Sequence, residues 1–286
     1  MRAVLVTGAT GIVGSAVLDH LLARGERVIA AVRNPDGAKL PDGAQARSFD
    51  FAMTSAEFDR VLDGVDRVFL MRPPQIEDVQ RYLFPFIDAA RRNRVRQLVF
   101  LSLQGVQFNK RTPHHAVEQH LKASGAPYTF LRPNFFLQNL SSIYAEEIRD
   151  RSEIYLPAGR SYTAMIDARD IGRVAAVVLT EPGHVGKAYT LSGEHPLSYH
   201  KIATEMTRVL GRPITYARPS EADYLARLAA QGRPADYIAV QKMIYRMVRL
   251  NASALPNRVV RKLTGQPATT LREFVHDYRD VWQPEG

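Results

Sequence analysis

Two kinds of hydrophobic pattern alternate along the first half of the chain. One is a short, mostly apolar run, unbroken at Ala3–Val6 and Val28–Val32 and containing polar residues at Val65–Met71, Gln97–Leu101 and residues 128–131, with a looser run at 44–51. Runs of roughly four to eight apolar residues bounded by turn signals suit strands, and unbroken ones suit strands buried on both faces. The other pattern has apolar residues every three or four positions. It follows the first run to about Arg24 and recurs at residues 55–62, 76–92 and 112–124. Over 76–92, Val79, Leu83, Phe86, Ile87 and Ala90 fall along one side of a helix. Asp42-Gly43, Asp63-Gly64, Arg72-Pro73-Pro74 and Ser124-Gly125 punctuate the series. Strand and helix alternate from residue 3 to about 150, which predicts an α/β fold built on a doubly wound parallel sheet with right-handed crossovers.

The later chain has a different rhythm. Short strands are expected near residues 154–156 and 189–191, among helices at Ala168–Thr180, Tyr199–Leu210, 221–231 and 270–282. The predicted division is a core at residues 1–152 and a mixed segment at 153–286. That segment adds to the sheet edge and forms a smaller, mostly helical portion closing over the carboxyl edge of the sheet, with a ligand cleft between them.

Chemistry concentrates at the first strand–helix junction. Gly8, Gly11 and Gly14 follow the strand at three-residue spacing and open the first helix, within Thr7-Gly8-Ala9-Thr10-Gly11-Ile12-Val13-Gly14. Glycines there permit a sharp turn, close approach of backbone to a pyrophosphate, and tight helix–sheet packing. The phosphates then meet the free N–H groups of a helix N-terminus. Ala9 stands where the commoner spacing has its second glycine, so the flanking strand and helix carry the inference. Gly8, Thr10, Gly11, Ile12, Val13 and Gly14 are accordingly expected to hold a dinucleotide.

The end of the second strand chooses among dinucleotides. An acid there binds the ribose 2′-hydroxyl of NAD, but Val32 is followed by Arg33-Asn34-Pro35, with no acid before Asp36. The planar, permanently charged fork of Arg33, with Asn34 beside it, suits a 2′-phosphate and therefore NADP(H). Ligands of doubly wound sheets lie outside the carboxyl ends of the strands, which adds Asp50, Phe51, Met71, Arg72 and Pro73 as cofactor contacts. Asp50 reads equally as a turn or capping residue.

Composition narrows the alternatives. The 286 residues are 45% hydrophobic and 23% charged, as in ordinary soluble globular proteins. There is no cysteine, which excludes disulfides, thiolate metal sites and cysteine nucleophiles. No apolar run approaches a membrane-spanning length and no leader pattern opens the chain, so a cytoplasmic protein without a membrane partner is expected. The net charge of +9 invites a polyanion partner, but the arginines are scattered and join no recognisable nucleic-acid motif, so none is expected.

Four stretches, residues 7–14, Val32-Arg33-Asn34-Pro35, residues 124–133 and Asp167-Ala168-Arg169-Asp170-Ile171-Gly172, together resemble the NmrA-like branch of the atypical short-chain dehydrogenases/reductases. Within it, the likeness is to members that reduce quinones and triphenylmethane dyes with NADPH. The resemblance implies a Rossmann-type core, NADP(H) in the 8–14 loop and a variable C-terminal part shaping the substrate pocket. The segment after Arg132 also resembles the family's nicotinamide-side loop, which implies that Pro133, Asn134 and Phe135 line the cofactor and that Phe136 and Asn139 meet a flat substrate, although the aromatic residues there read equally as core. Tyr162, just before residues 167–172, is expected to point into the cleft. The Tyr-x-x-x-Lys pair of ordinary short-chain dehydrogenases is absent. His114 stands where related reductases carry a functional lysine, and Ser102 stands at the strand end that carries a catalytic serine in the wider superfamily. His114, Ser102 and His115 are the candidate catalytic groups, a histidine near its ordinary pKa of about 6.5 being able to give or take a proton. His115 and His120 are spaced to face different sides of a helix, and no third ligand accompanies His115 and Glu118, so no metal is expected.

Two functions follow. The first is an NADPH-dependent oxidoreductase that transfers hydride to an aromatic or quinonoid small molecule; a homodimer is compatible with it. The second is a non-catalytic NADP(H)-sensing regulator that binds a protein partner, motivated by the missing lysine.

Overall fold

The computed structural model describes residues 2–284. They form two compact units, each assembled from separate stretches of chain. The first comprises the chain through Pro133, Ala168–Leu191 and Val259–Gln266. The expected boundary at residue 152 therefore falls inside the second unit.

The first unit is built on seven strands: β1 (Ala3–Val6), β2 (Val28–Val32), β3 (Gln45–Ser48), β4 (Val65–Met71), β5 (Gln97–Leu101), β6 (Tyr128–Pro133) and β9 (Lys187–Leu191), with β7 and β8 belonging to the second unit. Their order is β3-β2-β1-β4-β5-β6-β9 and every pairing is parallel. The chain runs outward from β1 to β3 and then crosses back to β4, so the order reverses between β1 and β4. That reversal is where doubly wound sheets bind ligands. Helices α1 (Ile12–Leu22), α2 (Ser55–Val61), α3 (Val79–Tyr82), α4 (Phe84–Arg92), α5 (Pro113–Ala123), α8 (Ala168–Thr180) and α12 (Val259–Thr264) complete the unit.

Three elements differ from the sequence expectation for local reasons. The helix expected over 76–92 is interrupted at Leu83, because Pro85 has no N–H to give and takes the first turn of a new helix instead. The strand expected at 44–51 shortens to β3, mostly exposed at the sheet edge. Phe49 and Phe51 leave it to pack edge-on at 4.8 Å, and Phe49 and Phe58 both meet Phe86, at 5.1 and 5.4 Å. Burying each such ring contributes about 1.5–3 kcal/mol, more than a few further residues of edge strand return. The run at 189–191 begins at Lys187 and closes the sheet against β6.

Helices α1 and α8 pack with almost no clearance. A Cβ on Gly172 would lie 2.6 Å from the Ala16 carbonyl carbon and 2.7 Å from its Cβ. Glycine at 172 is what lets the two backbones approach.

The second unit contains residues 134–167, 192–258 and the chain from Pro267. Its short strands pair as β7 (Glu153–Ile154) with β11 (Thr215–Tyr216), and β8 (Tyr162–Thr163) with β10 (Leu197–Ser198). Around them lie α6 (Gln138–Ser141), α7 (Ala145–Arg151), α9 (Tyr199–Leu210), α10 (Glu221–Ala230), α11 (Ala235–Arg249) and α13 (Leu271–Asp277). The core centres on Trp282 and Phe274, and the indole Nε1 donates to the Leu140 carbonyl at 2.9 Å. Helix α11 was not foreseen. Val240, Met243 and Met247 face outward at 47%, 49% and 48% exposure, so apolar residues on both sides blur its helical periodicity. No helix among the described residues is long and apolar enough to cross a membrane.

Candidate functional site

At the β1–α1 junction Gly8 adopts φ +62°, the left-handed region in which glycine is at no disadvantage. Gly14 is required for a different reason. A Cβ there would lie 2.0 Å from the Gly8 carbonyl oxygen, so only a bare α-carbon lets α1 start this close to the loop. A Cβ on Gly11 would sit 3.3 Å from the same oxygen. Gly11 caps α1 without a side-chain hydrogen bond, and the first turn holds no acid. The helix N-terminus is thus left with unsatisfied N–H groups and an uncompensated positive dipole end, while Thr10 and Ile12 are exposed and Val13 is buried beneath them.

Thr7 and Met71 lock this loop to the next strand across the sheet. The Met71 N–H donates to Thr7 Oγ1 at 2.8 Å, and Thr7 Oγ1 donates to the Phe69 carbonyl at 3.2 Å. The Met71 methyl lies over Gly8, where a Cβ would come within 2.0 Å of it. Thr7 is completely buried yet polar, a combination that sequence reasoning passed over.

The carboxyl ends of β4 and β5 lie side by side, Met71 being the register partner of Leu101. Arg72 and Ser102 follow immediately. Ser102 is 4% exposed, and its hydroxyl has no hydrogen-bond partner among the described residues; the same holds for buried Arg72 Nε and Gln104 Oε1. Buried polar atoms without partners are costly and uncommon. Gln104 was not singled out from sequence, where a glutamine in a loop carries no pattern.

Helix α5 brings the histidines. Thr112 caps it by accepting from the His115 N–H at 3.2 Å. The half-buried His114 ring sits 5.9 Å from that of Phe100 on β5. Burial, aided by the positive charge of Arg72, holds its pKa down to about 3. The ring is therefore neutral across the physiological range. His115 has its Nδ1 committed to the Val106 carbonyl at 3.2 Å, a bond that ties the helix to the preceding loop. Glu118 is bound to Arg132 through two hydrogen bonds.

The remaining candidates are distributed as follows. Arg33 and Asn34 are exposed beyond the end of β2. Asp50 accepts from the Ala52 N–H at 2.8 Å as a turn residue, and the Phe51 ring is committed to the aromatic core. The Pro73 carbonyl accepts from Arg72, and that of Pro133 accepts from the Gln104 N–H at 3.0 Å. In the second unit the Asn134 amide donates to the Ser253 carbonyl at 2.9 Å and accepts from the Phe135 N–H at 2.7 Å. Phe135 packs on that unit's core. Phe136 bridges to Ile166, Asn139 is half-buried, and Tyr162 is 48% exposed. No group of three His, Cys, Asp or Glu side chains placed to share a metal ion occurs among the described residues.

An uncapped helix N-terminus, a glycine cradle and a seven-stranded parallel sheet reversing between β1 and β4 define a dinucleotide-binding protein of the doubly wound α/β class. The pattern of the NmrA-like family matches residues 1–281, and the chain belongs to that family. It is 31% identical over 286 residues to an NAD(P)H azoreductase of Xenophilus azovorans, covering 95% of this chain and 96% of that protein. It is 30% identical over 288 residues to quinone oxidoreductase 2 of Escherichia coli (strain K12), covering 95% and 97%. The crystal structure of an NADPH-dependent quinone oxidoreductase from Escherichia coli complexed with NADPH matches with a TM-score of 0.83 at 27% identity, over 96% of this chain and 99% of that one.

Proposed function

We propose that the chain is an NADPH-dependent reductase that passes hydride to a quinonoid or other aromatic small molecule. It is an oxidoreductase and its cofactor is NADP(H). The observation that carries the acceptor side is the set of partnerless buried polar atoms on Arg72, Ser102 and Gln104, at strand ends next to the helix that bears an uncharged histidine. Relatives that act on quinone and azo compounds support the choice of acceptor.

Bound NADPH supplies the hydride. The protein contributes position, dryness and polar contacts. In this proposal the N–H groups at the start of α1 hold the pyrophosphate, and Arg33 holds the 2′-phosphate. Ser102 Oγ–H and neutral His114 donate to the oxygen on which negative charge collects. A quinone asks little of them, since the oxyanion it forms is already stabilised by its own ring.

NADPH oxidation by the purified chain, followed by absorbance against quinones, azo compounds and aromatic ketones, tests this. Turnover of quinones or azo compounds is expected. Tight NADPH binding with no turnover of any acceptor would sink it in favour of a non-catalytic sensor.

A further inference from the structure

Five buried side-chain polar atoms lack a hydrogen-bond partner among the described residues, and three of the five belong to Arg72, Ser102 and Gln104. Arg72 is the charged member of this group, and it is held in place. Its Nη1 donates to the carbonyls of Pro73 at 3.0 Å, Pro74 at 3.0 Å and Ile76 at 2.6 Å. All three bonds run through one nitrogen, and the Nε–H is left buried with no acceptor. No carboxylate of the described residues lies within 4.0 Å of the guanidinium. Burial lowers its pKa, and the charge of exposed Glu77 only partly offsets this.

A part-buried cation fixed by neutral carbonyls and lacking a counter-ion is costly to maintain, and an anion brought to it recovers much of that cost. The groups around it add no negative charge. Ser102 is a hydroxyl, Gln104 an amide, and His114 is uncharged.

We propose that the carboxyl ends of β4 and β5 form an anion-accepting subsite in which Arg72 selects quinonoid acceptors that carry or gather negative charge and disfavours cationic ones. This rests on the reductase function proposed above. Hydride addition turns a neutral quinone into the hydroquinone monoanion while NADPH becomes NADP+, and a proton from solvent completes the hydroquinone. A sulfonated quinone carries one negative charge before this step and two after it, so its attraction to Arg72 grows along the reaction. A triarylmethyl cation runs the other way: it is repelled on entry, and hydride removes its charge.

The test compares kcat/KM for 1,4-naphthoquinone, its 2-sulfonate and a cationic triphenylmethane dye, at low salt and at high salt, for the wild type, Arg72→Lys and Arg72→Met. The expected result is a preference of about tenfold or more for the sulfonate over the neutral quinone, the size of one good charge-assisted contact. It should survive in Arg72→Lys and fall to near parity in Arg72→Met. High salt separates this local effect from the general attraction of a protein with net charge +9, because surface fields are screened over about 10 Å at 0.1 M salt and a contact with a part-buried charge is screened much less. Inhibition of the wild type by naphthalene-2-sulfonate against a naphthylmethylammonium ion, both competitive with quinone, gives the same readout without any variant; the sulfonate should bind at least about tenfold tighter. Equal constants for the three acceptors would overturn the subsite and leave the reductase standing. So would an Arg72→Met variant that raises the KM for NADPH while keeping the sulfonate preference, which would assign Arg72 to the cofactor. Absence of turnover with all three would overturn the reductase and the subsite together.

Discussion

Glu118 and Arg132 form a two-pronged ion pair, Nε to Oε1 at 2.9 Å and Nη2 to Oε2 at 2.6 Å, with the glutamate side chain 1% exposed. Glu118 lies one helical turn beyond His114 on α5, and Arg132 lies on β6, so the pair fixes the helix that presents the histidine to the sheet. A fully buried carboxylate of this kind is tolerated because both oxygens are met by a matched planar fork.

Removing one partner should therefore be far worse than removing both. Arg132→Met alone leaves a buried charge and should destabilise the chain by about 3–5 kcal/mol. The double variant Glu118→Gln, Arg132→Met should recover part of this, as read from the denaturation midpoints of the four proteins in a double-mutant cycle. Equal losses adding without coupling would show the pair to be structurally idle.

The depressed pKa of His114 makes a statement about stability against pH. Its folded value of about 3 lies below the ordinary 6.5, so the unfolded chain binds the proton more readily. This contribution is fully present above about pH 6.5 and is lost as pH falls toward 3, with a slope of at most about 1.4 kcal/mol per pH unit. Urea denaturation of wild type and His114→Gln between pH 4 and 8 should show a shallower decline in the variant. His20 and His184, also lowered chiefly by burial, keep some slope in both proteins.

Ser102 separates a functional demand from a structural one. Its hydroxyl has no hydrogen-bond partner among the described residues, so Ser102→Ala should leave the melting temperature unchanged or raise it, relieving up to about 1–3 kcal/mol of unpaired burial. Turnover of the acceptor should fall by about tenfold or more if the hydroxyl holds the reacting oxygen. A variant that loses stability but keeps its rate would assign the serine to the fold.

Two glycines should fail differently when changed to alanine. Gly14→Ala puts a methyl group 2.0 Å from the Gly8 carbonyl and must push the loop away from α1, so NADPH binding measured by fluorescence should weaken sharply. Gly172→Ala forces α8 off α1 and should cost about 1–3 kcal/mol in stability, with NADPH affinity changed little in the protein that still folds.

Arg33→Gln should raise the KM for NADPH by about 10- to 100-fold, the loss of a charge-assisted contact of about 1.5–3 kcal/mol. The KM for NADH, which has no 2′-phosphate, should hardly move. Parallel changes for both would remove Arg33 from the 2′-phosphate.

Much of the first unit was legible because its signals are local. Val65–Met71 and Gln97–Leu101 emerge from the apolar runs to the residue, and the glycine spacing identifies the β1–α1 turn, since a run buried on both faces needs no knowledge of its neighbours. The break at Leu83 was legible in principle from Pro85 and was overridden by a continuous apolar stripe. Helix α11 was lost for the opposite reason, its apolar residues lying on both faces.

The sequence by itself determined that this chain is a doubly wound α/β protein with a glycine-spaced turn at Gly8–Gly14 and a cationic, acid-free end to β2. Each depends on residues within a few positions of one another. Only the tertiary structure decided that His114 is neutral, that Ser102, Gln104 and Arg72 are left with partnerless atoms on neighbouring strand ends, that Glu118 belongs to Arg132, and that each unit draws on separate stretches of chain. Those properties depend on burial and on partners far away in sequence. A side chain's pKa and its unmet hydrogen bonds are set by what packs around it, which no local pattern records.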